Sequence, residues 1–181
     1  MFARTKRLTL RPAWPEDAGA LAQAIGHDAV IRMLLRVPHP YGLADAEAFC
    51  ASPRRHDEAR FVIVAHDRGA PALIGGIGIS EHEGAPNLGY WLTPSAWGRG
   101  YATEAGRAVV DMARHALPLR RLDAWHFVDN PASGAVLRKL GFRATGRTTM
   151  RHSPARADAA PTLGYELDLA DRGQAPMPIA A

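Results

Sequence analysis

From Thr5 to Arg11 the chain alternates, with Leu8 and Leu10 on one side and Arg7, Thr9 and Arg11 on the other, the pattern of a half-buried strand that ends at Pro12. Pro15-Glu16-Asp17 then sets a proline and two acids at the start of a helical stretch through Leu21, Ala24 and Ile25. A second helix is predicted over Ala44 to Ala51. The period changes at Arg60, where Phe61 to Ala65 and Leu73 to Ile79 are β-branched runs joined by a short connection at 67–71, so both read as central strands. Asn87 to Leu92 is a further strand, following a loop over Glu81 to Pro86 and closed by Pro94.

The second half is clearer. Ala102, Ala105, Val109, Met112, Ala113 and Ala116 recur at helical spacing, with Glu104, Arg107, Asp111 and Arg114 turned away. Pro118 ends this helix, Arg121 to Phe127 reads as a strand, and Asn130-Pro131 opens a helix that stops at Gly141. A last strand is expected at Leu163 to Leu169, and residues 171–181 read as a flexible tail, leaving one domain over 1–170. An antiparallel meander followed by a strand-helix-strand-helix crossover is a mixed α/β fold with a switch point after Leu92.

Composition narrows the partners. A chain of 181 residues with 47% hydrophobic and 22% charged content suits one soluble domain, and no apolar run reaches the roughly 20 residues needed to span a bilayer. The opening Met1 to Arg7 has no export signal, so a cytoplasmic location is expected. Cys50 is the only cysteine, which excludes an internal disulfide and a thiolate metal cage; it reads as a small packed residue. The net charge of +4 is carried almost wholly by scattered arginines without interleaved aromatics, which argues against a nucleic-acid surface and leaves a polyanionic small molecule in play.

The candidate chemistry starts at Trp97-Gly98-Arg99-Gly100-Tyr101-Ala102-Thr103, a turn poor in side chains between a strand and the long helix. Unpartnered amides and the helix dipole at such a point favour phosphate oxygens. A Gly-x-Gly alone also describes an ordinary strand-to-helix turn. Two phosphate loops fail on named residues: a nucleotide-hydrolysing P-loop needs Lys-Ser/Thr where Tyr101-Ala102 stands, and a dinucleotide fingerprint needs a third glycine where Thr103 stands.

The run Gly89-Tyr90-Trp91-Leu92-x-Pro94-x-x-Trp97-Gly98-Arg99-Gly100-Tyr101-Ala102-Thr103-Glu104-Ala105, with Asn130-Pro131-Ala132-Ser133 and Lys139-Leu140-Gly141-Phe142 after it, resembles the GCN5-related N-acetyltransferases (GNAT), in particular the RimJ/RimL-like branch that acetylates ribosomal-protein N-termini. The resemblance implies a splayed, mostly antiparallel sheet of six to seven strands flanked by about four helices. It implies acetyl-CoA as cosubstrate, with Tyr90, Trp91 and Leu92 pairing with the pantetheine, the amides from Trp97 to Thr103 holding the pyrophosphate, and Asn130 near the pantetheine. Trp97 departs from the Gln/Arg of the family pattern. Ser133 takes the place of the usual helix tyrosine as the acid for the thiolate. The base is open: Asn87 stands where some relatives carry glutamate, and the remaining candidates are Glu81, His82, Glu83, Asp123 and His126, with Glu83 or His82 favoured through a water. No metal is expected. The acceptor is a primary amine, either a protein N-terminus or a small molecule such as a polyamine, amino acid or antibiotic, and a homodimer is open. A CoA-binding regulatory module without turnover is the alternative.

Overall fold

In the computed structural model, which describes residues 1–53, 59–67 and 69–170, eight strands form one open sheet. They are β1 (Ala3–Arg4), β2 (Leu8–Arg11), β3 (Ala59–Ala65), β4 (Ala72–His82), β5 (Ala85–Leu92), β6 (Arg121–Phe127), β7 (Arg143–Arg151) and β8 (Ala160–Asp168). The order across the sheet is β1-β2-β3-β4-β5-β6-β8-β7, and every pairing is antiparallel except β5 with β6. Five helices flank it: α1 (Ala18–Ile25), α2 (Asp28–Ile31), α3 (Leu43–Ala51), α4 (Tyr101–Ala116) and α5 (Pro131–Lys139). The expected tail at 171–181 and part of the 67–71 connection lie outside the described residues.

The continuous apolar run of β3 follows from a sheet covered on both faces. Phe61 and Ile63 join the larger core with Leu8, Leu10, Leu88, Leu122, Val109 of α4 and Leu137 of α5. Val62 and Val64 point the other way, into a smaller core with Leu21 of α1 and Ala46 and Cys50 of α3. Cys50 is buried there, as its packed sequence context implied.

Several boundaries move for physical reasons. Of the strand expected over Thr5 to Arg11 only Leu8–Arg11 forms, as β2; Thr5 to Arg7 make a turn in which Thr5 N–H donates to Leu8 O, and β1 precedes that turn. The loop expected over 81–86 is a two-residue hairpin: Glu83 (φ 52°) and Gly84 (φ 76°) both adopt left-handed backbone, which suits the twist of the flanking strands, so His82 ends β4 instead of sitting in a loop. β7 was missed because it is a mostly exposed edge strand with no buried face to create alternation.

At the entry to α1, Arg11 grips the Asp17 carboxylate with both terminal nitrogens (2.6 and 2.7 Å), and Trp14 N–H adds a third bond at 2.7 Å. The Arg11 hydrogen bond holds the Asp17 carboxyl below its ordinary range. A carboxyl depressed in the folded state stabilises fully above its unfolded pKa, near 3.9, and that contribution disappears as pH falls through the folded value. Asp17→Asn should therefore cost about 1–3 kcal/mol at pH 7 and show a shallower loss of Tm than the parent between neutral pH and pH 3, measured by thermal denaturation across pH.

Candidate active site

Strands β5 and β6 touch at one register pair, Asn87 with Asp123, and diverge beyond it. Towards Leu92 the edge of β5 that faces β6 therefore carries peptide groups with no ladder partner from that strand, opening a slot at the switch point. The slot leads to the glycine turn.

Gly98 (φ 72°) and Gly100 (φ 78°) both hold left-handed backbone, and Gly100 is the N-cap of α4. The helix's own ladder starts with Glu104 N–H donating to Gly100 O at 3.0 Å, so the amides before it point out of the helix end. Trp97 N–H is taken by Pro94 O, so the outward-facing set begins at Gly98. The Trp97 indole instead donates to Leu92 O at 2.8 Å, tying the turn to the end of β5. That bond gives the Trp97 side chain a partner within the turn and occupies the Leu92 carbonyl.

Across the slot, the Tyr90 phenol reaches from β5 to α5, 2.8 Å from Ser133 Oγ and donating to Ser133 O at 3.0 Å. Burial pushes the Tyr90 phenol up to about 12, so it stays protonated at neutral pH. Asn130 caps α5, its Oδ1 accepting from Ser133 N–H at 3.2 Å. Trp91 points to the other face, its indole over Gly76, where a Cβ would lie 2.7 Å from Nε1.

The base candidates separate. His82 and Glu83 lie at the hairpin end, and because His82 pairs with Ala85 and Ile77 with Tyr90, they are five residues, roughly 17 Å of strand, from the Tyr90 level. Both face Arg151, which holds the Glu83 carboxylate at 2.7 and 2.9 Å and approaches His82 Nε2 at 2.7 Å. The Arg151 bond lowers the Glu83 pKa, while burial and then Arg151 lower that of His82. Glu81 sits on the same hairpin, opposite Pro86. His126 is buried beneath α5, with its ring 2.5 Å from where a Gly134 Cβ would be and its nitrogens near Phe127 O and the Tyr165 hydroxyl. Asp123 stands beside Asn87 with Arg121 Nε 3.0 Å away.

Other contacts near the site carry no local sequence signal. Arg156 binds Asp129 at 2.9 and 3.0 Å and stacks on Phe127, fastening the 152–159 loop to the turn before Asn130. Arg7 and Glu104 join the first strand pair to the glycine turn. Among the described residues no three His, Cys, Asp or Glu side chains gather as a metal site would require, and no helix is long and apolar enough to cross a membrane.

Residues 7–143 match the model of the acetyltransferase (GNAT) domain. The uncharacterized N-acetyltransferase YoaA of Bacillus subtilis (strain 168) is 32% identical over 155 residues, covering 78% of this chain and 82% of the relative. The chain belongs to the GNAT acetyltransferase family. Its fold is shared with RimL, the ribosomal L7/L12 alpha-N-protein acetyltransferase solved with coenzyme A (TM-score 0.79, 20% identity, 93% of this chain and 98% of that one). It is likewise shared with Mycobacterium smegmatis RimJ solved with a CoA-disulfide (TM-score 0.78, 22% identity, 96% and 89%). In this GNAT chain the expected splayed sheet is therefore present, with eight strands because the two outer ones, β1 and β7, add to the six that pattern alone revealed. The acid and base expected from sequence do not adjoin: Ser133 meets Tyr90, and His82 with Glu83 meets Arg151.

Proposed function

We propose that this enzyme transfers the acetyl group of acetyl-CoA to a terminal α-amine of a peptide or protein. The observation that carries the reading is that β5 and β6 share a single ladder pair, which leaves a slot running from the Tyr90–Ser133 pair to the glycine turn. A pantetheine arm fits such a slot as a pseudo-strand against Tyr90, Trp91 and Leu92, with Asn130 at its inner end. The pyrophosphate then falls to the amides between Gly98 and Thr103, favoured by the α4 dipole. RimL and RimJ, solved with CoA species, lend the donor; RimL's alpha-N-protein substrate lends the acceptor class.

The amine nitrogen attacks the thioester carbonyl carbon, and the oxyanion is held by amide donors of β5 near Trp91 and Leu92. As the C–S bond breaks, Ser133 Oγ–H protonates the departing sulfur and regains its proton from the attacking nitrogen, which is left as the amide N–H, with the Tyr90 phenol orienting that hydroxyl. The acceptor must shed a proton first. With a reference pKa near 8, about one α-amine in ten is neutral at pH 7, against roughly one lysine side chain in two thousand. A site with Asn87 where a carboxylate base could stand is matched to the more acidic amine. His82 lies too far along the strand to take that proton directly, and its Nε2 accepts from Arg151, which Glu83 holds in place, so the α-amine sheds its proton to bulk water before it attacks.

Titration calorimetry with CoA and a thiol-release assay over a panel of peptides, free lysine, polyamines and aminoglycosides test this together. CoA binding with turnover favouring peptide α-amines is expected. Turnover confined to small molecules would replace the acceptor, and CoA binding without thiol release would make the chain a binding module.

A further inference from the structure

We infer that Arg7 is a positioning residue for the cofactor's phosphates, setting the Arg99–Gly100 peptide and cancelling the charge of Glu104 at the mouth of α4. The inference rests on the reading above, that the turn from Gly98 to Thr103 holds the CoA pyrophosphate.

Arg7 lies in the short turn between β1 and β2, far from the glycine turn in sequence and against it in space. Its Nη1 donates to Arg99 O at 3.1 Å. In a trans peptide the carbonyl and the following N–H point in opposite directions, so anchoring Arg99 O on Arg7 aims the Gly100 N–H away from Arg7, outward from the loop. Gly100 holds φ 78°, but glycine reaches negative φ as readily, so nothing local to the turn fixes that peptide orientation. Arg7 supplies the reason from outside.

Glu104 poses the second problem. An acid in the first turn suits the α4 dipole, yet it stands at the same helix end that must accept a polyanion. Arg7 answers with its Nε at 2.7 Å from Glu104 Oε2, Nη2 also at 2.7 Å, and its own backbone N–H at 3.0 Å from Oε1. Thr5 Oγ1 donates to Oε1 at 2.6 Å. Burial alone would raise the Glu104 carboxyl; the bonds from Thr5 and Arg7 outweigh it and keep the group ionised and paired. The guanidinium is stacked on the Tyr101 ring at 4.5 Å, and the Tyr101 phenol donates to the Asp67 carboxylate, so the clamp is itself held. Removing Arg7 frees one carbonyl to rotate and leaves an uncompensated negative charge beside the phosphates.

The decisive comparison uses two donors, acetyl-CoA and S-acetylpantetheine, which has the same thioester and no pyrophosphate. Arg7→Met should lower kcat/KM for acetyl-CoA about tenfold, the scale of one charge-assisted hydrogen bond, and leave kcat/KM for S-acetylpantetheine unchanged. Adding Glu104→Gln to Arg7→Met should recover part of the loss, and Arg7→Lys, which keeps charge but not the fork, should fall between. Equal losses with both donors, or none with either, overturn the inference and leave the wild-type reading intact. A wild-type protein that neither binds CoA nor releases its thiol overturns the functional reading and this inference with it.

Discussion

Gly100→Val is expected to raise the Kd for CoA and the KM for acetyl-CoA about 10–100-fold, the loss of one charge-assisted amide-to-phosphate bond, while kcat at saturating donor changes little. The cause is backbone conformation and not crowding. A Cβ at Gly100 would meet Arg7 Nη2 at 3.7 Å, an ordinary contact, so there is room for a side chain. What a valine cannot accept is φ 78°, where a β-branched residue is a severe outlier. The turn must then relax towards negative φ, rotating the Arg99–Gly100 peptide and the first amides of α4 away from the phosphates. Gly100→Asn is the internal control, since asparagine tolerates left-handed backbone and should retain most of the affinity. Calorimetry with CoA decides: valine and asparagine variants that bind alike, at wild-type strength, would remove the turn from the phosphate site.

That turn was legible in the sequence because its constraint is local. Two glycines ahead of a helical period announce a backbone that only glycine adopts easily, and the strand-helix alternation around it follows from periodicity within each segment. The central strands were legible for the same reason, since Phe61 to Ala65 is apolar at every position and only a sheet covered on both faces accommodates that. The edge strand β7 was not, because exposed residues such as Arg143, Thr149 and Met150 satisfy no core and so leave no pattern. The site was half legible. The glycine turn and the Asn130 cap could be read, whereas the partners of Glu104, Glu83 and Asp129 could not. Arg7 reads as the polar face of a strand, and Arg151 and Arg156 are two of many scattered arginines, until the fold carries them across 97, 68 and 27 residues to their carboxylates. Chemistry built from distant ion pairs leaves no mark on a local window.

Ser133→Ala should lower kcat for acetyl transfer by about 10²–10³-fold, the range of a positioned acid, with Tm close to that of the parent. The separation of activity from stability follows from the bonding. The Tyr90 phenol keeps Ser133 O at 3.0 Å when the hydroxyl is gone, and Asn130 caps α5 through Ser133 N–H, a backbone group that alanine retains. No buried donor loses its last partner, so the fold has little to lose. Catalysis loses the proton source. If that is the role of Ser133, the defect must shrink when the leaving group no longer needs a proton, so an acetyl thioester of a more acidic thiol should be turned over by Ser133→Ala at nearly the wild-type rate. Tyr90→Phe, which removes only the group that orients the serine, should cost less in kcat. Because burial holds the phenol near 12, no break in the kcat–pH profile below pH 10 should belong to Tyr90. A defect in Ser133→Ala that is the same for both leaving groups would show that the serine shapes the slot without serving as the acid, and the proton for the thiolate would then have to come from water or from the amine itself.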